Sequence, residues 1–385
     1  MTRGRLTKLV LAAAFALTGC DEILRPEFPV QFIDVSTGGD HTCAVSTEGT
    51  IYCWGRGQDG ELGFGYIERW GTPREVVSHQ TYRTVVAGYS HSCALTVDDA
   101  MECWGWNPLG QLGVGSTIGL GSPGPVAGEL KFQSVTAGQY HTCGLTTEGE
   151  AYCWGYNGYG QLGDGTRRDT VAPSPVAGEL RFTELSAGAF HTCGIARDGA
   201  TYCWGSNHSG QLGDGTLETR PVPAPVAGGY AFVTLSAGRA HTCAVTAAGD
   251  AYCWGSNDYG ELGLAGAGRP DLPQFLRPGR VYGGYTFRTV SAGHHVTCGI
   301  DRHGEALCWG RGHYGQIGNG ATTDQNTPKF VLSQGERFRT ISAGGRTHVC
   351  GVTSRGTVLC WGWGESGQLG NPGTTHSATP VRIEG

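Results

Sequence analysis

The chain has 385 residues and a formal net charge of −6, with no basic run beyond its first eight residues. That balance offers no cationic stripe of the kind nucleic-acid binders carry, so DNA and RNA are not expected as partners. Apolar residues make up 39% of the chain, enough for a large core, and 67 glycines point to many tight turns between short elements.

Met1–Lys8 carries Arg3, Arg5 and Lys8, and Leu9–Leu17 is an uncharged apolar run. A basic start, a short apolar run and small residues predict an export signal over residues 1–19. The run is too short to span a bilayer, which needs about 20 residues. The Leu17-Thr18-Gly19-Cys20 ending resembles the lipobox of bacterial lipoproteins. The resemblance implies that Cys20 is lipidated and becomes the first residue of the mature chain. Residues 20–29 then form a tether reaching at most about 30 Å. The expected location is the bacterial cell envelope, outside the cytoplasm, at the periplasmic or cell surface. An ordinary signal peptide cut nearby is the alternative, and it leaves Cys20 a free thiol.

From Phe32 onward the chain repeats itself. The tryptophan of a Cys-Trp-Gly core recurs as Trp54, Trp104, Trp154, Trp204, Trp254, Trp309 and Trp361. Such a period is the mark of an array, which overrides a domain count taken from length. In the first copy, Phe32–Val35 is a short apolar segment. His41–Val45 alternates, Thr47-Glu48-Gly49 is a turn, and Ile51–Trp54 returns. A glycine-rich loop follows, then a Pro-Val segment such as Pro125-Val126. Proline suits an edge strand. Four short strands per repeat suit a propeller blade. The predicted fold is all-β: a seven-bladed β-propeller of four-stranded antiparallel blades over residues 30–385. The Ala378-Thr379-Pro380-Val381-Arg382 segment is expected to be the last fourth strand and to close the ring by docking beside the N-terminal blade.

Each copy holds two cysteines: Cys43 and Cys53, Cys93 and Cys103, Cys143 and Cys153, Cys193 and Cys203, Cys243 and Cys253, Cys298 and Cys308, Cys350 and Cys360. If Cys43 opposes Cys53, Val45 must oppose Ile51 and His41 must oppose Gly55. In copy two the same register sets Leu95 against Met101. The pattern is self-consistent, so seven disulfides within blades are expected, with buried free thiols as the alternative. Each bridge over so short a loop is worth about 2–3 kcal/mol in the loop-entropy model. No Cys-x-x-Cys occurs, and no metal or cofactor is expected.

The pattern Ala-Gly-x-x-His-Thr-Cys, then Tyr-Cys-Trp-Gly-x-Asn-x-x-Gly-Gln-Leu-Gly, resembles the regulator of chromosome condensation repeat from about Phe32 to Val381. In that family the repeats build a seven-bladed propeller. The paired cysteines depart from the general family pattern and suit an exported branch. Copy six carries Val296 where the other copies have histidine, and copy seven is shifted by one residue at Gly345-Arg346-Thr347-His348. No insertion resembles the wedge by which the nuclear member acts on its small GTPase, so nucleotide exchange is not expected.

Strand direction sorts the loops. The pair of residues before each repeat histidine (loop one) and the segment after Trp-Gly (loop three) share one face of the ring. Loop one brings Tyr89, Tyr140, Phe190, Arg239 and His295 there; loop three brings Trp106, Tyr159, His208, Tyr259 and Tyr314. Aromatic and arginine side chains are what protein-binding hot spots favour. A secreted β-lactamase inhibitor of the same propeller class is similar, engaging its target with aromatic residues of this face. These ten residues are the candidate binding rim; the alternative is that they pack between blades. The repeated His41, His91, His141, His191, His241 and His348 are too regular for catalysis and are expected to hold the Ala-Gly loop. The Gly-Asp-Gly-Thr copies read as turns rather than a cation site. The long exit of copy five, with Arg269, Asp271, Arg277 and Arg280, reads as a surface extension.

The sequence therefore predicts a monomeric, membrane-tethered, non-catalytic propeller that binds an unidentified protein. An inhibitor of an extracellular hydrolase is the nearest alternative. A glycan-binding or glycan-cleaving propeller is a third, which would need a pair of carboxylates converging on one rim or on the channel.

Overall fold

A computed structural model describes residues 30–265, 273–373 and 375–384. The predicted export signal and tether, with Cys20, and Arg269 and Asp271 lie outside the described residues. These form seven four-stranded antiparallel sheets arranged as the blades of a propeller. Blade one is typical: Phe32–Thr37, His41–Ser46, Ile51–Gly55 and Trp70–Glu75 pair in that order. The first strands of successive blades lie against one another and line the channel. The fourth strand is the outer edge, and there the prolines fall, as in Arg220–Pro225, whose N–H groups no fifth strand needs.

The central hairpin has the register that the apolar pattern requires. Cys43 opposes Cys53, Val45 opposes Ile51 and His41 opposes Gly55; Leu95 opposes Met101. All seven cysteine pairs are opposed with Cα atoms 4.0–4.1 Å apart and sulfurs 2.06–2.13 Å apart. Blade five departs from the others. Its fourth strand is only Gly279–Arg280, preceded by a single 3₁₀ turn at Pro273–Leu276. Phe275 of that turn is buried against the packing of blades five and six, among Leu262, Val281 and Trp309.

The core sits between blades. The repeat tryptophans are fully buried, each against the blade before it: Trp104, for example, packs with Val45, Ile51 and Leu62. Six of them donate their indole N–H to the backbone carbonyl of the Gln or Glu in the preceding blade's Gly-Gln-Leu-Gly, at 2.9–3.0 Å.

The repeat histidines work at the same joints, and their partner is not the one expected. The ring does cover its own Ala-Gly loop; a Cβ on Gly38 would meet the His41 ring at 2.2 Å. Its Nε2, however, bonds a hydroxyl of the next blade: His41 to Ser92, His91 to Thr142, His141 to Thr192, His191 to Thr242, His241 to Thr297 and His348 to Thr42, at 2.9–3.0 Å. That hydroxyl in turn donates to the carbonyl of the preceding blade's Gln or Glu, at 2.8–3.0 Å. With the hydroxyl proton committed, the histidine must supply its own, so Nε2 carries the hydrogen. Burial keeps all six rings neutral, pushing them down to about 3 or 4.

The joint between blades six and seven lacks this link. Val296 stands in the histidine position, and the facing hydroxyl position is Val349; both are buried in one apolar cluster. A lone valine would have left a hydroxyl without its donor, and the second valine removes that hydroxyl.

The ring closes between blades seven and one. The C-terminal strand His376–Arg382 pairs with Val358–Trp363 of its own blade, so no strand is exchanged across the seam. Side chains close it: Thr37 with Ser342, His348 with Thr42, and Ile383 packed with Phe32 and Trp54.

Candidate functional site

Loops one and three share one face, and the ten candidate residues sit on it. Their rings link into two arcs. In the first, over blades two to four, Tyr140 lies 5.9 Å from Tyr89, 5.6 Å from Trp106 and 5.9 Å from Phe190, between ring centroids. Phe190 continues to Tyr156 and Tyr159, and Tyr159 to His208 at 5.7 Å. In the second, over blades five to seven, Tyr259 meets His295 at 4.7 Å and Tyr314 meets Trp363 at 6.4 Å. Arg311 lies over both Tyr259 and Tyr314, 5.1 and 5.7 Å from their centroids. Arg239 donates to Nε2 of His295 at 3.1 Å.

The rings pack across blade joints, yet packing does not bury them. Tyr89, Trp106, Tyr140, Tyr156, Tyr159, Phe190, Tyr259 and Trp363 are half-buried, and His208, Arg239 and Tyr314 are exposed. Each ring is thus braced by its neighbour with an edge or face left to solvent. Aromatic pairs of this kind add about 0.5–1.5 kcal/mol beyond the area they bury, so the surface is held in place before any partner arrives.

Inside the arcs the channel mouth forms a cavity of about 90 Å³ walled by the Ala-Gly pairs. One loop-one residue of every blade reaches it, the first in blades one to six and the second in blade seven: Gly39, Tyr89, Gln139, Ala189, Arg239, His294 and Arg346. Arg346 donates to the Tyr89 hydroxyl at 3.4 Å, passing over the glycine loop of blade one. Burial first, then the neighbouring His295 ring and the guanidiniums of Arg239, Arg346 and Arg311, push His294 down to about 3.

Arg311 and Arg346 were not among the candidate residues. Arg311 occupies the position after Trp-Gly, where copies two and three carry Trp106 and Tyr156. Arg346 lies in the shifted loop of copy seven, and that irregularity was the available signal.

Two carboxylates stand on channel strands, Asp34 in blade one and Glu184 in blade four. Asp34 accepts from the N–H of Val35 at 2.9 Å, and burial pushes it up to about 6. Glu184 accepts from the Thr234 hydroxyl and the Leu235 N–H, both at 3.0 Å, and burial raises it too. Each is engaged by its own surroundings, three blades from the other. Asp164 and Asp214 cap turns, accepting from the N–H of Thr166 and Thr216 at 2.8 and 2.9 Å. Among the described residues no group of three or more His, Cys, Asp or Glu is placed to hold a metal ion, and no helix is long and apolar enough to cross a membrane.

Residues 20–274 match the RCC1-like domain, and residues 303–351 and 355–385 match the regulator of chromosome condensation (RCC1) repeat. The chain belongs to the RCC1-like domain family. It is 32% identical over 119 residues to the ultraviolet-B receptor UVR8 of Arabidopsis thaliana, covering 30% of this chain and 27% of the receptor. To the human E3 ubiquitin-protein ligase HERC2 it is 36% identical over 98 residues, 23% of this chain and 2% of the ligase. It therefore spans only a small part of these relatives. Among solved structures, Prp20p of Saccharomyces cerevisiae superposes with a TM-score of 0.76 at 21% identity, over 92% of this chain and 88% of that one. Human WBSCR16 gives 0.75 at 22% identity, over 85% and 88%. The likeness to both is one of fold.

Proposed function

We propose that this RCC1-like propeller is an exported, membrane-tethered protein that binds another protein through the loop-one and loop-three rim, and that it does no chemistry of its own. The observation that carries the reading is the aromatic arc from Tyr89 to His208: joined rings from three blades, braced yet open to solvent. Prp20p, which shares the fold, binds Gsp1p and histones.

The tether fits that use. The first strand runs from Phe32 toward the rim, so Val30 lies on the opposite face. A lipid on Cys20 turns that face to the membrane and presents the rim away from it. The opposed cysteines suit an oxidising compartment, where we expect all seven pairs to be bonded. Alkylation before and after reduction checks this: the fourteen strand cysteines should react only after reduction and unfolding. Thiols that react on unfolding alone contradict it.

Capture from an envelope extract tests the binding reading. The full chain should retain a specific protein that the variant with Tyr89, Tyr140, Phe190 and Tyr259 changed to alanine loses. Equal capture by a folded variant defeats the rim.

A further inference from the structure

The channel mouth differs in charge from the molecule around it. The chain as a whole carries −6, yet the residues lining the mouth include two guanidiniums, Arg239 and Arg346, and no carboxylate. Neither arginine has a carboxylate within ion-pair distance among the described residues. Asp40, in the same tier of loops, feels the charges of Arg346 and Arg56 but does not line the cavity.

Both arginines are positioned from the side. Arg239 donates one N–H to Nε2 of His295. His295 must accept there, so its hydrogen is on Nδ1, which faces the buried Glu261 at 3.8 Å. Arg346 gives one N–H to the Tyr89 hydroxyl, and its backbone N–H bonds the carbonyl of Gly39. A guanidinium has five donors, so most of each remains unspent. Most backbone N–H groups around the mouth are already used in bonds to the next blade's glycine carbonyl, as from Gln139 to Gly188 and from Arg239 to Gly293.

We propose that this cavity receives the carboxylate of an aspartate or glutamate on a loop of the bound protein, held by Arg239 and Arg346 while the residues flanking it lie on the aromatic arc. The inference rests on the reading of the rim as a protein-binding surface. A cavity of about 90 Å³ suits the tip of one acidic side chain. The carboxylate offers about four acceptor sites to the unspent donors, and paired guanidinium–carboxylate bonds are among the strongest available. The guanidiniums of Arg239 and Arg346, which add to burial in keeping His294 neutral, act on the same space.

Selection of constrained random octapeptides, displayed on phage, against the full chain tests this while the natural partner is still unidentified. Binders centred on Asp or Glu with apolar neighbours are expected. Asp→Asn or Glu→Gln in the peptide should weaken binding at least tenfold. Arg239→Gln with Arg346→Gln in the protein should do the same, and the two losses should not add. Tyr140→Ala with Phe190→Ala should weaken the same peptides. Binders that lack an acid, or that ignore the arginine variant while losing affinity to the aromatic one, overturn the carboxylate pocket and leave the rim standing. Displacement by millimolar free acetate overturns the loop-borne acid in favour of a small-anion pocket. A library that yields no binder, or only binders indifferent to both variants, counts against the rim and the pocket together. Unchanged melting of each variant shows that the fold was not the cause.

Discussion

The joints between blades and the rim above them come from the same repeat, and they treat variation in opposite ways. At the joints the His, Thr, Trp and Gln positions are almost the same in every copy, and the single large departure is matched by its neighbour, Val296 by Val349. On the rim nearly every copy differs. Tyr89, Gln139, Ala189, Arg239 and His294 occupy one loop position in successive blades, and no replacement restores the symmetry. A buried joint tolerates change only in pairs, because an unmatched hydroxyl or imidazole there costs its full desolvation. A half-exposed loop carries no such penalty, so its sequence is free to follow whatever it contacts.

The largest effect expected at the joints is with acid. Six repeat histidines are buried and neutral, held down to about 3 or 4 against an ordinary 6.5. The unfolded chain therefore binds more protons than the folded one below pH 6.5. Stability is fully present above that pH and is lost progressively as pH falls from 6.5 to the folded values of about 3 or 4, each histidine contributing up to about 1.4 kcal/mol per pH unit over that window. Chemical denaturation from pH 7 to pH 4 should show a steep decline; a flat profile would mean that the rings are not buried neutral. On the rim, His294, also held down to about 3, adds to the same slope.

Next in size is His191→Val alone. It leaves the Thr242 hydroxyl without its donor and should cost about 2 kcal/mol in urea unfolding. The paired change His191→Val with Thr242→Val reproduces what the six–seven joint already does and should recover at least half of that loss. If the pair costs as much as the sum of its singles, the Val296–Val349 match is incidental.

A smaller effect is expected on the rim. Tyr140→Ala removes a half-buried ring and should cost about 1 kcal/mol or less, while weakening partner capture strongly. If capture holds and stability falls by several kcal/mol, the arc is packing and nothing more. Smallest of all, Val349→Thr gives the six–seven joint a hydroxyl that can reach the Gln316 carbonyl, by analogy with Thr297 and Glu261. Without a histidine opposite, it should change stability by less than about 1 kcal/mol.

The sequence carried the blade almost completely. Alternation in His41–Val45 and Ile51–Trp54 determined the hairpin register, because a slip of one residue would have turned Val45 and Ile51 to the wrong face. What it hid lies between blades. His191 and Thr242 are 51 residues apart, and no local pattern says that a histidine serves the next blade rather than its own loop. Val296 was visible as an oddity, but its match at Val349 was unreadable until the joint was known. The same holds for the mouth: Arg239 and Arg346 line one cavity only because a closed ring brings blades five and seven to one centre. Blade five showed a long exit in sequence, but not that its fourth strand would shrink to Gly279–Arg280.

The most direct measurement is hydrogen exchange on the captured complex. Protection should appear in the loop segments around Tyr89, Trp106, Tyr140, Tyr159 and Phe190. The turns of the opposite face, such as Thr47–Thr50, should exchange as in the free protein. Protection confined to that opposite face, with the aromatic loops unchanged, would contradict the assignment of the rim as the binding surface.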